Sequence, residues 1–343
     1  MSAGNFRMRT EKAESRRQKA EGSQDEIALT ADCRLPTAFC FLPSAFSSVI
    51  LFFVDGLGIG SRGPQNPFDG LIEAAPLAVF QDEEPEIIFD GRLVRTDARL
   101  GVDGRPQSAS GQTTILTGVN APAALGYHKQ GFPNEALREI IKGHSIFLQL
   151  KRAGVTPNTF ANAYTPGFFE GRPRWVSATT AAVEAAGMSF RNLDDLQAGR
   201  AVFQDYTNAM LIERGLPVSL RTPEQAAETL AAIAREHRFT LYEYFITDKT
   251  GHAQDMNAAR VILVNLARFV RHLLSQIDLA RTTLLLTSDH GNIEDLSSRN
   301  HTLNPVPTLI WGAHKEQIAR RVQSLADITP AIVEALTGKV AID

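Results

Sequence analysis

Histidine and aspartate recur together in the second half of the chain. Asp248 and His252 stand four residues apart in DKTGH, Asp289 and His290 are adjacent in SDHGN, and His301 follows in RNHT. Far upstream, Asp55 opens the glycine-bearing stretch DGLGIG. Carboxylate and neutral imidazole suit Zn²⁺, Mn²⁺ and related divalent ions. Three aspartates and three histidines exceed the needs of one ion, so two divalent metal ions are expected, Mn²⁺ or Zn²⁺ ahead of Mg²⁺. Two such ions a few ångströms apart can clamp the attacking and leaving oxygens of a phosphoryl transfer. Each residue alone has a plainer explanation, since histidine has many roles besides ligation and Asp248 could cap a helix. The joint pattern carries the weight.

A second chemical feature is the run Ser108-Ala109-Ser110-Gly111-Gln112-Thr113-Thr114. It reads as a small-residue loop entering a helix N-terminus, where backbone N–H groups and the helix dipole favour an anion. A hydroxyl there is a poor nucleophile until a bound metal lowers its pKa. A Ser/Thr-rich capping turn is the structural alternative. The chain has no G-x-S-x-G elbow, which argues against a Ser-His-Asp hydrolase. His128 and Lys129, in the Gly-rich GYHKQGFP, are candidate phosphate contacts, with loop packing as the plainer role. Arg172 and Arg174, beside Trp175, are candidate contacts for an anionic substrate, with a solvated basic loop as the alternative.

These residues need elements that bring them together. VILFFV at 49–54 is apolar and β-rich and runs into Asp55. LYEYFIT at 241–247 ends at Asp248, and TTLLLTS at 282–288 ends at Asp289. Strands buried on both faces read as such runs. Helical patterns lie between them, at 134–143, 145–153, 179–186, 223–237, 257–277 and 327–336. Over 257–277, Val261, Leu263, Leu266, Val270, Leu273 and Ile277 are expected along one face. PVPTLIW at 305–311 reads as a further strand. Alternating strands and helices imply an α/β fold, a mostly parallel sheet with helices on both faces. Ligands of such sheets gather at the carboxyl ends of the strands, so the three strand-end aspartates would converge on one edge.

The chain has 343 residues, 43% hydrophobic and 21% charged, with a formal net charge of -3. That balance does not suggest a nucleic-acid binder. Both cysteines, Cys33 and Cys40, precede the regular part, which excludes a disulfide scaffold and a thiolate metal site from the main body. Residues 1–47 read as a disordered or low-complexity leader, with a direct repeat of LPTAFCF and LPSAFSS, and 48–343 as one metalloenzyme domain. Residues 35–54 carry no charge and are long enough to cross a bilayer. Pro36, Pro43 and the Ser47-Ser48 pair interrupt them, so a leader followed by the first strand is preferred to an anchor. Cytoplasmic placement is the default where no export signal is recognised.

The order Asp55-Gly, Ser-x-x-Gly, Asp248-x-x-x-His252, SDHGN and His301 resembles the metalloenzyme branch of the alkaline phosphatase superfamily. That branch includes cofactor-independent phosphoglycerate mutase and phosphopentomutase. The resemblance implies that Asp248, His252 and His301 hold one ion. It places Asp55, Asp289 and His290 on the other, with Ser108 at or near it as the phosphorylated residue. Ser110, Thr113 and Thr114 are the rivals if the register differs. Where the family usually carries His after the Gly, this chain has Gln112. The mutases have a sizeable inserted cap, whereas here a small lid at most is expected, near 126–133 and 166–176. The implied function is two-metal phosphoryl transfer on a small phosphate monoester, as phosphatase or phosphomutase. A non-catalytic metal-binding protein on the same fold and a membrane-anchored hydrolase of the superfamily are the alternatives. The absence of a Cys-x-Pro-x-Arg motif argues against a sulfatase.

Overall fold

The structure, a computed structural model, describes residues 46–171 and 174–338. The expected leader up to residue 45, its repeat, both cysteines and Arg172 lie outside the described residues. Six strands form one sheet: β1 (Ser48–Val54), β2 (Arg92–Thr96), β3 (Asn158–Phe160), β4 (Phe239–Tyr244), β5 (Thr282–Thr287) and β6 (Val306–Gly312). The spatial order is β2-β6-β5-β1-β4-β3. β3, β4, β1 and β5 pair in parallel, while β6 runs antiparallel to both of its neighbours.

β1 shows why an unbroken apolar run makes a central strand. Ile50, Phe52 and Val54 point into one core, with Leu230 of helix Pro223–Arg235 and Leu263, Leu266, Val270 and Leu273 of helix Met256–Gln276. Val49, Leu51 and Phe53 point into the other, with Ile115, Ile141, Phe147 and Ile332 from helices on the opposite face. Both faces are therefore covered, as a parallel sheet requires. Residues 49–54 serve as this buried strand rather than as part of a membrane span. No helix among the described residues is long and apolar enough to cross a membrane.

Several boundaries depart from the sequence reading. β4 stops at Tyr244, and residues 246–253 form a helix, so Asp248 sits in a helical first turn rather than at a strand end. A short apolar run cannot distinguish a buried strand from the start of a buried helix. Likewise 108–114 is no loop: helix Ser108–Thr117 begins at the serine itself, with Gln107 as its N-cap residue. Its Ser/Thr/Gly composition is a poor helix former, and burial of nearly the whole helix supplies what propensity lacks. Val261 is 59% exposed, because it lies two residues, about half a helical turn, from Leu263. The sequence reading held no strand at Arg92–Thr96 or Asn158–Phe160. The first is a five-residue edge strand that carries Arg92 and Arg95 and the second has three residues, both too brief for periodicity to register.

Candidate metal centre

The carboxyl ends of β1, β4 and β5 lie side by side, since Val54 pairs with Tyr244 and Phe53 with Thr287. Asp55 leaves β1 at this edge, Asp289 and His290 follow β5, and helix Ile246–Ala253 follows β4. His301 reaches the same edge because β6 runs the other way, so the residues that precede β6 stand where the carboxyl ends of its neighbours are.

Two clusters result. Asp248, His252 and His301 offer ligand atoms within 4.8 Å of one another, and so do Asp55, Asp289 and His290. In the first, His252 Nε2 is 3.3 Å from Asp248 Oδ2, His301 Nε2 is 3.5 Å from Asp248 Oδ1, and the two Nε2 atoms are 3.3 Å apart. His252 Nδ1 donates to the Arg299 carbonyl at 2.6 Å and His301 Nδ1 to the Pro106 carbonyl at 2.9 Å. A carbonyl only accepts, so each neutral ring keeps its lone pair on Nε2. Two lone pairs and a carboxylate thus face one point, a donor set that a divalent cation fits. Asn292 fixes the Asp248 carboxylate through Nδ2, 2.7 Å from Oδ1.

In the second cluster His290 Nε2 is 3.3 Å from Asp55 Oδ1 and 3.5 Å from Asp289 Oδ2. Asp55 Oδ1 is buried and accepts no hydrogen bond, and His290 Nδ1 is buried without a partner. Gln112 Nε2 donates to Asp55 Oδ2 at 3.2 Å and to Asp289 Oδ2 at 3.1 Å. Burial, with Asp55 alongside, pushes the Asp289 carboxyl well above its ordinary range. Burial opposes charge on His290, but Asp289 and Asp55 outweigh it and push the ring up to about 10. Burial likewise opposes charge on Asp248, yet the adjacent His301 ring, the nearby His290 and His252 imidazoles and the Asn292 amide bring it down to about 2. Crowded carboxylates that take up a proton without a counter-ion are what a cation would relieve. The His290 and His301 rings stack at 3.6 Å and link the clusters.

Two glycines of the motifs are required by close approach. Gly56 has φ +74°, and a Cβ there would lie 2.8 Å from the Asp248 backbone. A Cβ on Gly111 would lie 3.0 Å from Asp289 Cβ and its carbonyl oxygen, so this glycine lets the helix reach the second cluster.

Ser108 Oγ is 3.0 Å from His290 Nε2. The other hydroxyls of its helix are turned inward. Ser110 accepts from Lys129 N, and Thr113 and Thr114 donate to the carbonyls of Ala109 and Ser110. Ser108, Asp55, Gln112 and Asp248 line a cavity of about 470 Å³. Gly131 and Phe132 line it from one expected lid segment, and Phe168, Trp175 and Val176 from the other. His128, Lys129 and Arg174 are not among its lining residues. His128 Nε2 meets the Val102 carbonyl at 3.2 Å, Lys129 Nζ the Gln130 carbonyl at 2.6 Å, and the Arg174 guanidinium lies over the Trp175 ring. Lys249 and Arg214 do line the cavity; Lys249 lies inside DKTGH, where only the aspartate and histidine were singled out, and Arg214 stands in no motif.

The sequence reading also missed Glu294. Its buried carboxylate accepts from Gly58 N at 3.0 Å, Asn292 N at 2.8 Å, Thr302 Oγ1 at 2.5 Å and Asn304 Nδ2 at 3.0 Å. It joins the loops that carry Asp55, His290 and His301.

Residues 206–339 match the family model of the Metalloenzyme superfamily. That span holds Asp248, His252, Asp289, His290 and His301, with Asp55 and Ser108 upstream of it. The 2,3-bisphosphoglycerate-independent phosphoglycerate mutase of Ehrlichia canis (strain Jake) is 30% identical over 128 residues, 34% of this chain and 25% of the mutase. The enzyme of the same name from Prochlorococcus marinus (strain MIT 9313) is 30% identical over 134 residues, 33% of this chain and 25% of its own length. The match thus spans about a quarter of each relative. The PH0037 protein of Pyrococcus horikoshii superposes over 87% of this chain and 99% of its own, with TM-score 0.52 and 15% identity, a likeness of fold. The family match over residues 206–339 and the mutase relatives support a likeness to the metalloenzyme branch of the alkaline phosphatase superfamily, and the PH0037 superposition shows the fold alone.

Proposed function

We propose that the chain is a metal-dependent phosphoryl-transfer enzyme that acts on a phosphate monoester through a phosphoserine at Ser108. The convergence of two ligand clusters at one sheet edge, with Ser108 Oγ 3.0 Å from His290, carries this reading. Asp248, His252 and His301 would hold one divalent ion, and Asp55, Asp289 and His290 the other, with Mn²⁺ or Zn²⁺ best suited to the donors and Mg²⁺ an alternative. Bound there, such ions lower the pKa of an adjacent hydroxyl and neutralise charge on a transferring phosphoryl group.

The chain's own residues supply the positioning. Ser108 presents Oγ from the first residue of its helix, so attack on phosphorus occurs at the positive end of the helix dipole. Gln112 holds Asp55 and Asp289 together from one turn further along the same helix. The Oγ–P bond forms as the ester P–O bond breaks, and the alcohol leaves with a proton. Transfer to water then releases phosphate, whereas return to another hydroxyl of the same molecule gives an isomer. A mutase must exclude water. Phe132 and Trp175 stand half-exposed beside the cavity, which favours hydrolysis, while the relatives' printed activity favours isomerisation.

Turnover of a panel of sugar phosphates and phosphoglycerates with added Mn²⁺ or Zn²⁺ tests the reading. Free phosphate identifies a phosphatase and a positional isomer a mutase. Ser108→Ala is expected to lower turnover by roughly a thousandfold or more and to abolish the phosphoenzyme. A Ser108→Ala protein that still traps phosphate covalently overturns the nucleophile.

A further inference from the structure

The cavity at Ser108 has a volume of about 470 Å³. A phosphoryl group beside Ser108 takes up only its metal-side end, so the remainder receives whatever is esterified to phosphorus. Aromatic rings supply much of its wall, Phe132, Tyr164, Phe168, Trp175, Phe203 and Phe245 among them, interleaved with polar groups such as Asn162, Ser177 and Gln204. Phe168 is braced by rings behind it, with centroids 4.2 Å from Tyr164 and 5.1 Å from Phe190, which in turn lies 4.9 Å from Tyr164. A ring held this way is a preformed wall rather than a mobile side chain. Trp175 is 54% and Phe132 49% exposed. Large rings left in water beside a polar centre gain most from an apolar occupant.

The cavity also carries charge. Apart from the proposed cation ligands, the described lining residues offer Lys249 and Arg214 against Glu243.

We propose that the substrate is a phosphate monoester bearing a planar aromatic ring, held between Phe168 and Trp175. The inference rests on the phosphoryl-transfer reading of the same site. The ring could belong to a simple arylalkyl group or to a nucleobase, and the stacking chemistry is common to both.

Trp175 is one of two tryptophans, and the other, Trp311, is fully buried, so indole emission reports on the cavity without any turnover. Benzylphosphonate and methylphosphonate, whose P–C bonds resist hydrolysis, are titrated into the Mn²⁺-loaded protein. Benzylphosphonate is expected to shift the emission and to bind about tenfold tighter, and Phe168→Ala to erase most of that preference. Equal affinities overturn the inference. In steady state, benzyl phosphate and adenosine 5′-phosphate are compared with glycerol 3-phosphate and 3-phosphoglycerate, all esters of alkyl alcohols. The ring-bearing pair is expected to have kcat/KM about tenfold higher, and the faster of the two identifies the ring. Trp175→Ala, at an exposed position that leaves the core intact, is expected to raise KM for the ring-bearing esters by about tenfold and that for glycerol 3-phosphate far less. Glycerol 3-phosphate or 3-phosphoglycerate used as well as the ring-bearing esters overturns the aromatic class and leaves phosphoryl transfer standing. Failure to turn over any ester, together with phosphonate binding indifferent to metal, overturns both.

Discussion

Gln112 occupies the position where a histidine is usual among the proteins this chain resembles, and its contacts explain how the substitution is tolerated. A neutral amide donates to both Asp55 and Asp289 and so bridges two carboxylates without adding a competing charge. Gln112→Leu would leave both oxygens without that donor. The expected result is a metal-free protein about 1–3 kcal/mol less stable and a cation affinity roughly 10–100-fold weaker, read by denaturant melts and calorimetric titration. Unchanged values in both would show the amide to be idle. Glu243 makes a second test. Burial, with Asp55 nearby, raises its carboxyl from 4.5 to about 7. The folded chain therefore binds this proton more tightly than the unfolded one, so the associated stability is complete below pH 4.5 and is lost as pH rises through about 7. In chelator-treated protein Glu243→Gln should flatten the pH dependence across that window and raise stability at pH 8 by about 1–2 kcal/mol. Parallel melting curves for the two proteins from pH 4 to 8 would refute this.

Among the elements, the central strands were legible because β1, β4 and β5 are apolar on both faces, and the long helices because their buried stripes repeat with the helical period. Asp55, Asp289 and His290 stood out since each follows such a strand directly. The helix that carries Asp248 and His252 was hidden by the apolar Phe245-Ile246 step, which prolongs the strand pattern past its real end at Tyr244. The reversal of β6 left no mark in its own residues, because direction depends on what precedes a strand and not on its composition. Glu294 was invisible for a related reason: one acid in a polar loop carries no period, and its four hydrogen bonds exist only once the segment between β5 and β6 has folded back on itself and met the one after β1. Glu294→Ala should therefore act on both segments together. A loss of about 2–4 kcal/mol is expected, with weaker binding at both cation clusters. A melt within about 0.5 kcal/mol of the parent would show the loops to be held by other contacts.

At the scale of the molecule, β1 begins at Ser48 and is central to the sheet from its first turn of chain. Arg238 donates to the carbonyls of Ser47 and Leu336, tying the start of β1 to the last helix. A chain shortened to begin at Phe46 is expected to fold with the same melting temperature, within about 2 °C, and the same cation stoichiometry. Loss of soluble protein would assign a structural role to the residues removed.

The reversed direction of β6 has a further consequence. Because the chain leaves β5 and re-enters the sheet from the same side, one excursion between neighbouring strands delivers Asp289, His290 and His301 together. Half of the proposed ligands thus travel as a single cassette whose two ends are anchored in adjacent strands. Cation preference could be re-tuned by exchanging that one segment, with the strands and helices around it untouched.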